Sequence, residues 1–199
     1  MSDETARTIA SYDRYSAAFA SALGNASLGA ELDQFACMLP DGGLVLDAGA
    51  GPGHYTLALA ARGLVPVPLD LSIEMLRVAR DYGLDRPVLA DVCRLPFGRG
   101  CFDGVWASAS LLHLPRAALP GALAELRRVV RLGGALYCSL KQGEGEAWVS
   151  SPAGGERFFV YYREDELDRL LIESGWAIVD GYLNPGRSHD WINRFCRAV

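Results

Sequence analysis

The sequence predicts an α/β protein built on a doubly wound, mostly parallel sheet of about seven strands, with helices on both faces. Two observations lead to this prediction. Short apolar runs alternate with segments of helical periodicity over residues 44–140, and the connections between them are short. Gly63, Gly83 and Gly133 stand where the helices of such units should end. The 199 residues suffice for one core, so we expect a single domain over residues 1–199.

Two amphipathic helices are expected before the sheet begins, as an N-terminal pair over residues 1–40. Residues recur at helical spacing from Ile9 to Leu23, so the first helix should end near Gly24 and Asn25. The second helix carries its apolar side chains at the same spacing and should stop at Pro40. Those side chains are Leu28, Leu32, Phe35 and Leu39.

Strands and helices should then alternate along the chain. The predicted strands are Leu44–Asp47, Val65–Asp70, Val88–Ala90, Gly104–Ala107 and Ala135–Leu140. Three helices lie between them: the first ends at Arg62, and the other two cover Ile73–Tyr82 and Pro120–Arg131. Ser72 is a candidate N-cap, and Pro120 fits the first turn of its helix. Residues 163–199 should add a helix and two closing strands, Glu164–Ser174, Trp176–Tyr182 and Trp191–Ala198.

The second strand contains two prolines, which lack the N–H group that donates to a neighbouring strand. Pro66 and Pro68 are two residues apart, so both missing N–H groups face the same neighbour. The other edge of the strand can still pair normally, and we therefore predict a strand over Val65–Asp70.

Composition and charge argue against several classes of protein. The formal net charge of −5 argues against a general nucleic-acid or anionic-membrane surface. No apolar run approaches the ~20 residues of a membrane span, and the polar N-terminus does not resemble a signal peptide. The cysteines are scattered without metal-ligand spacing, so we expect reduced thiols, a cytoplasmic location and no bound metal.

A glycine-rich segment follows the first predicted strand. Asp47 ends that strand, and Gly49, Gly51 and Gly53 lead into a helix-like run. Glycines there let backbone N–H groups approach a ligand closely. Asp70, at the end of the next strand, is placed to accept hydrogen bonds from both hydroxyls of a ribose. Together these residues predict a site for a nucleoside-bearing cofactor.

The glycine spacing narrows the choice of cofactor. The pattern is G-x-G-x-G, whereas dinucleotide sites usually read G-x-G-x-x-G, and Asp47 would repel a pyrophosphate. An acid at that position suits a ligand that carries an amine. For the glycines alone, the alternative is a tight strand-to-helix turn that binds nothing.

With these residues, the chain resembles the class I S-adenosylmethionine-dependent methyltransferases. Further matches follow in the order of that family, over about residues 44–140. They are Ala90-Asp91-Val92, Leu95-Pro96-Phe97, the run Phe102–Trp106 and the helix-to-strand junction Arg127–Leu136. The resemblance implies a last strand antiparallel to the others and a cofactor-binding core over residues 44–140.

The resemblance also implies the residues that hold the cofactor. Asp47 and the glycine loop would hold the methionine part, Asp70 the ribose and Asp91 the adenine amino group, with S-adenosylhomocysteine as the product. The predicted contacts are Tyr12, Tyr15, Asp47, Ala48, Gly49, Gly51, Gly53, Asp70, Leu71, Met75, Asp91, Val92, Ser108 and His113. Alternatives stay open: Asp47 as a structural acid, Asp70 as a carboxylate at a helix N-terminus, and Tyr12, Tyr15 and Met75 as packing residues.

The acceptor side of the site is less defined by sequence. Residues 141–155 are rich in glycine, serine and acids and predict a long mobile loop, so residues 141–162 are a candidate lid and acceptor segment. His113 is a candidate general base, and Tyr161 is a second catalytic candidate. Trp148, Arg157, Tyr161 and Tyr162 would line the acceptor pocket, although each alone is also explained by packing.

The sequence thus predicts a cytoplasmic methyltransferase that acts on a small molecule. A methyltransferase of protein or RNA is one alternative, and a cofactor-binding regulatory or scaffold protein without catalysis is another. A nicotinamide-dependent dehydrogenase is disfavoured by the glycine spacing. The oligomeric state and the acceptor are left open.

Overall fold

The protein is described by a computed structural model that covers residues 1–23, 28–186 and 188–199. The predicted end of the first helix at Gly24 and Asn25 lies outside the described residues. The helices are α1 (Asp3–Leu23), α2 (Gly29–Cys37), α3 (His54–Ala60), α4 (Ile73–Asp81), α5 (Leu119–Val129) and α6 (Glu164–Glu173). The strands are β1 (Leu44–Ala48), β2 (Val65–Asp70), β3 (Val88–Leu89), β4 (Phe102–Ser108), β5 (Val130–Lys141), β6 (Glu146–Ser150), β7 (Glu156–Val160), β8 (Trp176–Asn184) and β9 (Trp191–Ala198).

Seven of these strands form one sheet in the order β3-β2-β1-β4-β5-β9-β8. The strands from β1 to β5 pair in parallel, and β9 is antiparallel to both of its neighbours, β5 and β8. The predicted sheet and its antiparallel last strand are confirmed.

Each face of the sheet has its own core. Leu46 and Val105 point to the face that packs against Leu123 of α5, whereas Val45 and Trp106 point to the face covered by α2. This alternation is the period-2 pattern of a strand buried on both sides, and it confirms the prediction of helices on both faces.

The pairing of β2 explains how it accommodates two prolines. The N–H of Val65 donates to the carbonyl of Gly43 on the β1 side, so Pro66 and Pro68 face the opposite edge. On that edge, β3 pairs only with Leu69 and Asp70. The prolines therefore stand where no ladder hydrogen bond is required, and the predicted strand is confirmed.

Some predicted boundaries change. Gly63 and Gly83 follow α3 and α4 with φ values of 78° and 87°, as the end of a helix requires. Gly133 instead lies inside β5, because α5 ends at Val129 and the chain enters the strand directly through an irregular register opposite β4. The prediction that Gly133 ends a helix is therefore wrong. Ser72 caps α4 as predicted, since its Oγ accepts a hydrogen bond from the N–H of Met75 at 3.2 Å.

The segment predicted as a long structureless loop is largely a β-hairpin, so that prediction is wrong. β6 and β7 pair antiparallel, and Trp148 stands directly opposite Phe158 with ring centroids 5.5 Å apart. The glycines and acids of this segment masked the short run Ala147–Val149, which has the residues of a strand. Whether the hairpin moves stays a prediction.

The hairpin docks on α1. The N–H of Phe158 donates to Oγ1 of Thr8 at 3.0 Å, and a Cβ on Gly155 would stand only 2.1 Å from Oγ of Ser11. α1 is in turn tied to the start of α4, because Oγ of Ser72 donates to Asp13 at 2.6 Å. As a result, α1 and the hairpin together cover the carboxyl ends of the central strands.

Candidate active site

A cavity of 510 Å³ lies at the carboxyl ends of the parallel strands, beneath α1 and the hairpin. Ligands of open α/β sheets bind at this edge, and the volume lies within the usual range for small-molecule sites. Most of the predicted site residues line it: Tyr12, Ala48, Gly49, Gly51, Asp70, Leu71, Met75, Asp91, Val92, Ser108, His113 and Arg157.

The glycine loop is fixed against the end of β2. The N–H groups of Gly49 and Ala50 donate to the carbonyl of Leu69 at 2.8 and 2.9 Å. Gly49 has a φ of 84°, and a Cβ there would lie 2.3 Å from Cβ of Ser110. Only glycine lets the loop pass this close to the turn after β4. Gly53 does not line the cavity; a Cβ on it would meet the side chain of Leu84 at 1.9 Å, so its place in the pattern is explained by packing.

Asp70 is the acid at the edge of the cavity. Its carboxylate accepts hydrogen bonds from the N–H groups of Gly51 and Ser72, each at 2.8 Å. Burial raises the pKa of Asp70, while these backbone donors act in the opposite direction. Both sequence interpretations of Asp70, as a carboxylate at a helix N-terminus and as a ligand-binding acid, are therefore compatible with the structure. Its carboxylate is oriented by the start of α4 and also lines the cavity. Asp91, further along the wall, accepts from the N–H of Cys93 at 2.9 Å.

Asp47 lies beneath the glycine loop and does not line the cavity. Its side chain is 2% exposed and accepts a hydrogen bond from Oγ1 of Thr56 at 2.5 Å. Burial raises the pKa of Asp47 to about 7, opposed by the hydroxyl of Thr56. This geometry favours the structural interpretation of Asp47, with a hydroxyl group rather than loop amides as its partner.

A hydrogen-bonded chain crosses the cover of the cavity. Nδ1 of His113 lies 2.7 Å from the carbonyl oxygen of Phe158, and a carbonyl can only accept. The proton is therefore on Nδ1, so Nε2 accepts from the hydroxyl of Tyr12 at 2.8 Å. The same hydroxyl accepts from Nη1 of Arg157 at 3.1 Å.

This environment makes His113 a weak base. Burial lowers the pKa of His113 to about 3, the Phe158 carbonyl opposes the shift, and the charges of Arg157 and Lys141 add to it. The imidazole is therefore neutral at physiological pH, and its free lone pair is already occupied by Tyr12. His113 lines the cavity as predicted, but its bonding does not support a role as general base.

Besides Gly53 and Asp47, four predicted residues lie outside the cavity. Trp148 stacks under the guanidinium of Arg7 at 4.0 Å, and Tyr161 stacks on the ring of His189 at 4.3 Å. Tyr162 is buried beside Arg116, and Tyr15 packs against the glycines of the hairpin. Side chains alternate along β7, so only Arg157 and Phe159 of this stretch reach the cavity. The positions of Tyr15, Trp148, Tyr161 and Tyr162 do not support the predicted contacts, and the position of Tyr161 outside the cavity does not support a catalytic role.

Several lining residues were missed by the sequence analysis. Ser139 and Lys141 come from the end of β5, Trp191 and Asn193 from β9, and Phe159 from β7. No local motif marks these positions, because they meet only through the pairing of β5 with β9 and the docking of the hairpin. One signal was present: Lys141 is the only lysine in this sequence.

The cavity wall also has polar atoms without partners. Oγ of Ser110, Nδ1 of His54 and Nε of Arg157 are buried and form no hydrogen bond with the described residues, and all three side chains line the cavity. Buried polar groups are rarely left unpaired, so these atoms indicate a polar ligand. Together with Asp70 and the glycine loop, they fit a molecule with a ribose and an amino-acid part.

Comparison with known proteins finds similarity to methyltransferases. Residues 46–138 match the family model described as "Methyltransferase domain". A malonyl-[acyl-carrier protein] O-methyltransferase of Salmonella typhimurium is 36% identical over 140 residues, which are 66% of this chain and 53% of that protein. A chloroplastic, uncharacterized methyltransferase of Arabidopsis thaliana is 30% identical over 159 residues, 72% of this chain and 45% of that protein. The chain thus spans about half the length of these curated relatives.

Solved structures support the fold. The 1,6-didemethyltoxoflavin-N1-methyltransferase of Burkholderia thailandensis, solved with bound 1,6-didemethyltoxoflavin and S-adenosylhomocysteine, aligns with a TM-score of 0.77 at 22% identity. The alignment covers 100% of this chain and 91% of that one. Residues 46–138 match a methyltransferase domain, and the fold is that of the class I S-adenosylmethionine-dependent methyltransferases, so the family resemblance of the sequence is confirmed. Among its described residues, no helix combines the length and apolarity needed to cross a membrane.

Proposed function

We propose that the protein binds S-adenosylmethionine in this cavity and transfers its methyl group to a small-molecule acceptor. One observation carries the proposal: the Asp70 carboxylate is held at the cavity edge, at the end of β2 beside the glycine loop, by two backbone N–H groups. An oriented acid at the end of the second strand is the arrangement that binds both hydroxyls of a ribose.

The other lining residues divide by the part of the cofactor that they would hold. Asp91 would accept from the adenine amino group, with Val92, Leu71 and Met75 as the apolar surroundings. The glycine loop and the cover containing Tyr12 would enclose the methionine part. When bound, the cofactor supplies a methyl group that is already activated on a sulfonium sulfur.

The residues of the chain would then position the acceptor and exclude water. His113 does not offer a strong base, since it is neutral and its lone pair is occupied. Acceptors that are nucleophilic without losing a proton therefore suit this site best.

A cavity of 510 Å³ under a cover favours a small acceptor over a folded macromolecule. The likeness to malonyl-[acyl-carrier protein] O-methyltransferases gives a second candidate, a small acyl group presented on a carrier protein. We also propose a cytoplasmic location, since five cysteines are free, two of them buried.

Calorimetry with S-adenosylmethionine, S-adenosylhomocysteine and a nicotinamide dinucleotide tests the cofactor. We expect heat and thermal stabilisation with the first two ligands only. A preference for the dinucleotide, or no binding at millimolar ligand, would refute the proposal. Mass spectrometry of molecules retained through native purification, followed by methyl transfer from labelled cofactor, tests turnover; tight binding with no product from any acceptor would support the non-catalytic alternative.

A further inference from the structure

Two cationic side chains line the same part of the cavity. Lys141 ends β5 and places its Nζ over the rings of Phe159 and Trp191, 4.5 and 5.6 Å from their centroids. Arg157 of β7 places its guanidinium over Phe19 and Phe159, at 4.7 and 5.1 Å. This end of the cavity is therefore aromatic and positively charged.

Neither cation has an acidic partner. Within residues 1–23, 28–186 and 188–199, no salt bridge includes Lys141 or Arg157, whereas arginines such as Arg116, Arg128 and Arg194 pair with carboxylates. Residues 24–27 and 187 contain no Asp or Glu. Among the described residues, the guanidinium of Arg157 forms one hydrogen bond, to the neutral hydroxyl of Tyr12, and its Nε is buried without a partner.

Two half-buried like charges without a counter-ion are costly, because burial disfavours each charge and each repels the other. Both effects lower the pKa of Lys141, burial first and the charge of Arg157 second. An anion bound between the two side chains would remove this cost. The arrangement therefore fits a binding site for a negatively charged ligand.

The methionine part of S-adenosylmethionine carries an ammonium group beside its carboxylate, and its sulfonium is cationic, so the cofactor brings no net negative charge to this pair of cations. In the sheet order β2-β1-β4-β5, Lys141 stands three strand spacings from Asp70, roughly 14 Å across the sheet. Lys141 is thus at the opposite end of the cavity from the carboxylate that would hold the ribose. Net negative charge at this end must therefore come from a molecule other than the cofactor, and the remaining occupant is the acceptor.

We propose, on the basis of the proposed function, that Lys141 and Arg157 bind the acceptor as a carboxylate, and that the product is a methyl ester. One carboxylate oxygen is held by the cations while the other attacks the methyl carbon. The new O–C bond forms as the C–S bond breaks, and the electron pair of that bond stays on sulfur. No proton is released, so no base is required.

This chemistry agrees with the rest of the site. A carboxylic acid is ionised at neutral pH, which matches a wall where His113 is neutral and occupied. An anion that attacks a sulfonium loses charge as the bond forms, so an enclosed apolar cavity favours the reaction. The rings of Phe159 and Trp191 would contact the apolar part of the acid.

The single lysine allows a direct test without turnover. Protein labelled with ¹³C,¹⁵N-lysine gives one side-chain signal, whose pKa can be followed by NMR at saturating S-adenosylhomocysteine. We expect benzoate and hexanoate to raise the pKa of Lys141, and benzamide and hexanamide to leave it unchanged. Calorimetry should show that the acids bind roughly 10- to 100-fold more tightly than the amides, as charge-assisted hydrogen bonds predict.

Variants make the test specific. Lys141→Met should abolish the preference for the acids, Lys141→Arg should retain most of it, and Arg99→Met, at an exposed position, should not alter it. The proposal is overturned if acids and amides bind equally, or if S-adenosylhomocysteine alone produces the whole pKa rise of Lys141. It is also overturned if labelled cofactor methylates an amine or a thiol but no acid. Failure of S-adenosylhomocysteine to bind would instead refute the proposed function.

Discussion

The hydroxyl of Tyr12 lies 2.8 Å from Nε2 of His113, although the two residues are 101 positions apart in the chain. Because Nδ1 of the same ring bonds to the carbonyl of Phe158, one imidazole connects α1, the turn after β4 and the hairpin. The cover of the cavity is therefore held together by a polar link as well as by packing. Breaking that link should affect both stability and ligand binding.

We predict that Tyr12→Phe destabilises the protein by about 1–2 kcal/mol, because it leaves the Nε2 acceptor of His113 without a donor. Urea unfolding at pH 7 measures the change. Tyr15→Phe is the matched control, since the same hydroxyl is removed from the same helix at a residue that does not line the cavity. An equal loss in both variants would show that the link contributes nothing.

The pH dependence of stability should report His113. Its pKa is about 3 in the folded protein and near 6.5 unfolded, so between these values the folded state binds fewer protons. Its contribution to the free energy of unfolding is therefore lost as pH falls from about 6.5 to about 3. His113→Gln should flatten the stability profile in this range. A profile with the slope of the wild type would contradict the assigned neutral state.

Asp47 should change the pH dependence of stability in the direction opposite to His113. Its pKa of about 7 exceeds the unfolded value, so the folded state binds more protons between pH 4 and 7, and stability falls as pH rises. Asp47→Asn keeps an acceptor for Thr56 and removes the buried charge, so we expect a gain of up to about 4 kcal/mol at pH 8. There should be little change at pH 4. The exposed Asp85→Asn serves as the control, and a gain that is equal at both pH values would refute the prediction.

The half of the site that sequence could predict is made of residues close together in the chain. Gly49, Gly51 and Asp70 lie on one strand–loop–helix–strand unit, so their spacing already places them at one edge of the sheet. Lys141, Phe159 and Arg157 meet only when β7 folds over the end of β5, which no local pattern encodes. The hairpin itself was missed because its glycines and acids outweighed a short β-forming run.

A variant at Asp70 tests the half of the site that the sequence predicted. Asp70→Asn should weaken S-adenosylhomocysteine binding by about 2–4 kcal/mol, because charge-assisted hydrogen bonds to the two hydroxyls are lost. The unliganded protein should also lose some stability, since the carboxylate accepts from the N–H groups of Gly51 and Ser72. Calorimetry and thermal unfolding separate the two effects. An unchanged dissociation constant in a folded Asp70→Asn variant would make Asp70 a structural acid only.

The last prediction concerns movement of the cover. We expect the hairpin to open as a unit from α1 when no ligand is bound, because few hydrogen bonds besides those at Thr8, Tyr12 and His113 hold it there. S-adenosylhomocysteine should shift it toward the closed state and slow amide hydrogen exchange over Glu146–Val160. Equal exchange with and without ligand would make the hairpin a fixed part of the wall.

Two glycine variants distinguish docking of the hairpin from its backbone strain. Gly155 and Gly145 have φ values of 69° and 80°, so alanine at either position costs about 1 kcal/mol or more in backbone conformation. A Cβ on Gly155 would also collide with Ser11 of α1, whereas nothing lies within 4 Å of a Cβ on Gly145. Gly155→Ala should therefore accelerate hydrogen exchange in the hairpin and weaken the binding of S-adenosylhomocysteine. Gly145→Ala should change neither property by more than its backbone strain accounts for. If both variants bind the ligand equally, contact between the hairpin and α1 does not control closure of the site.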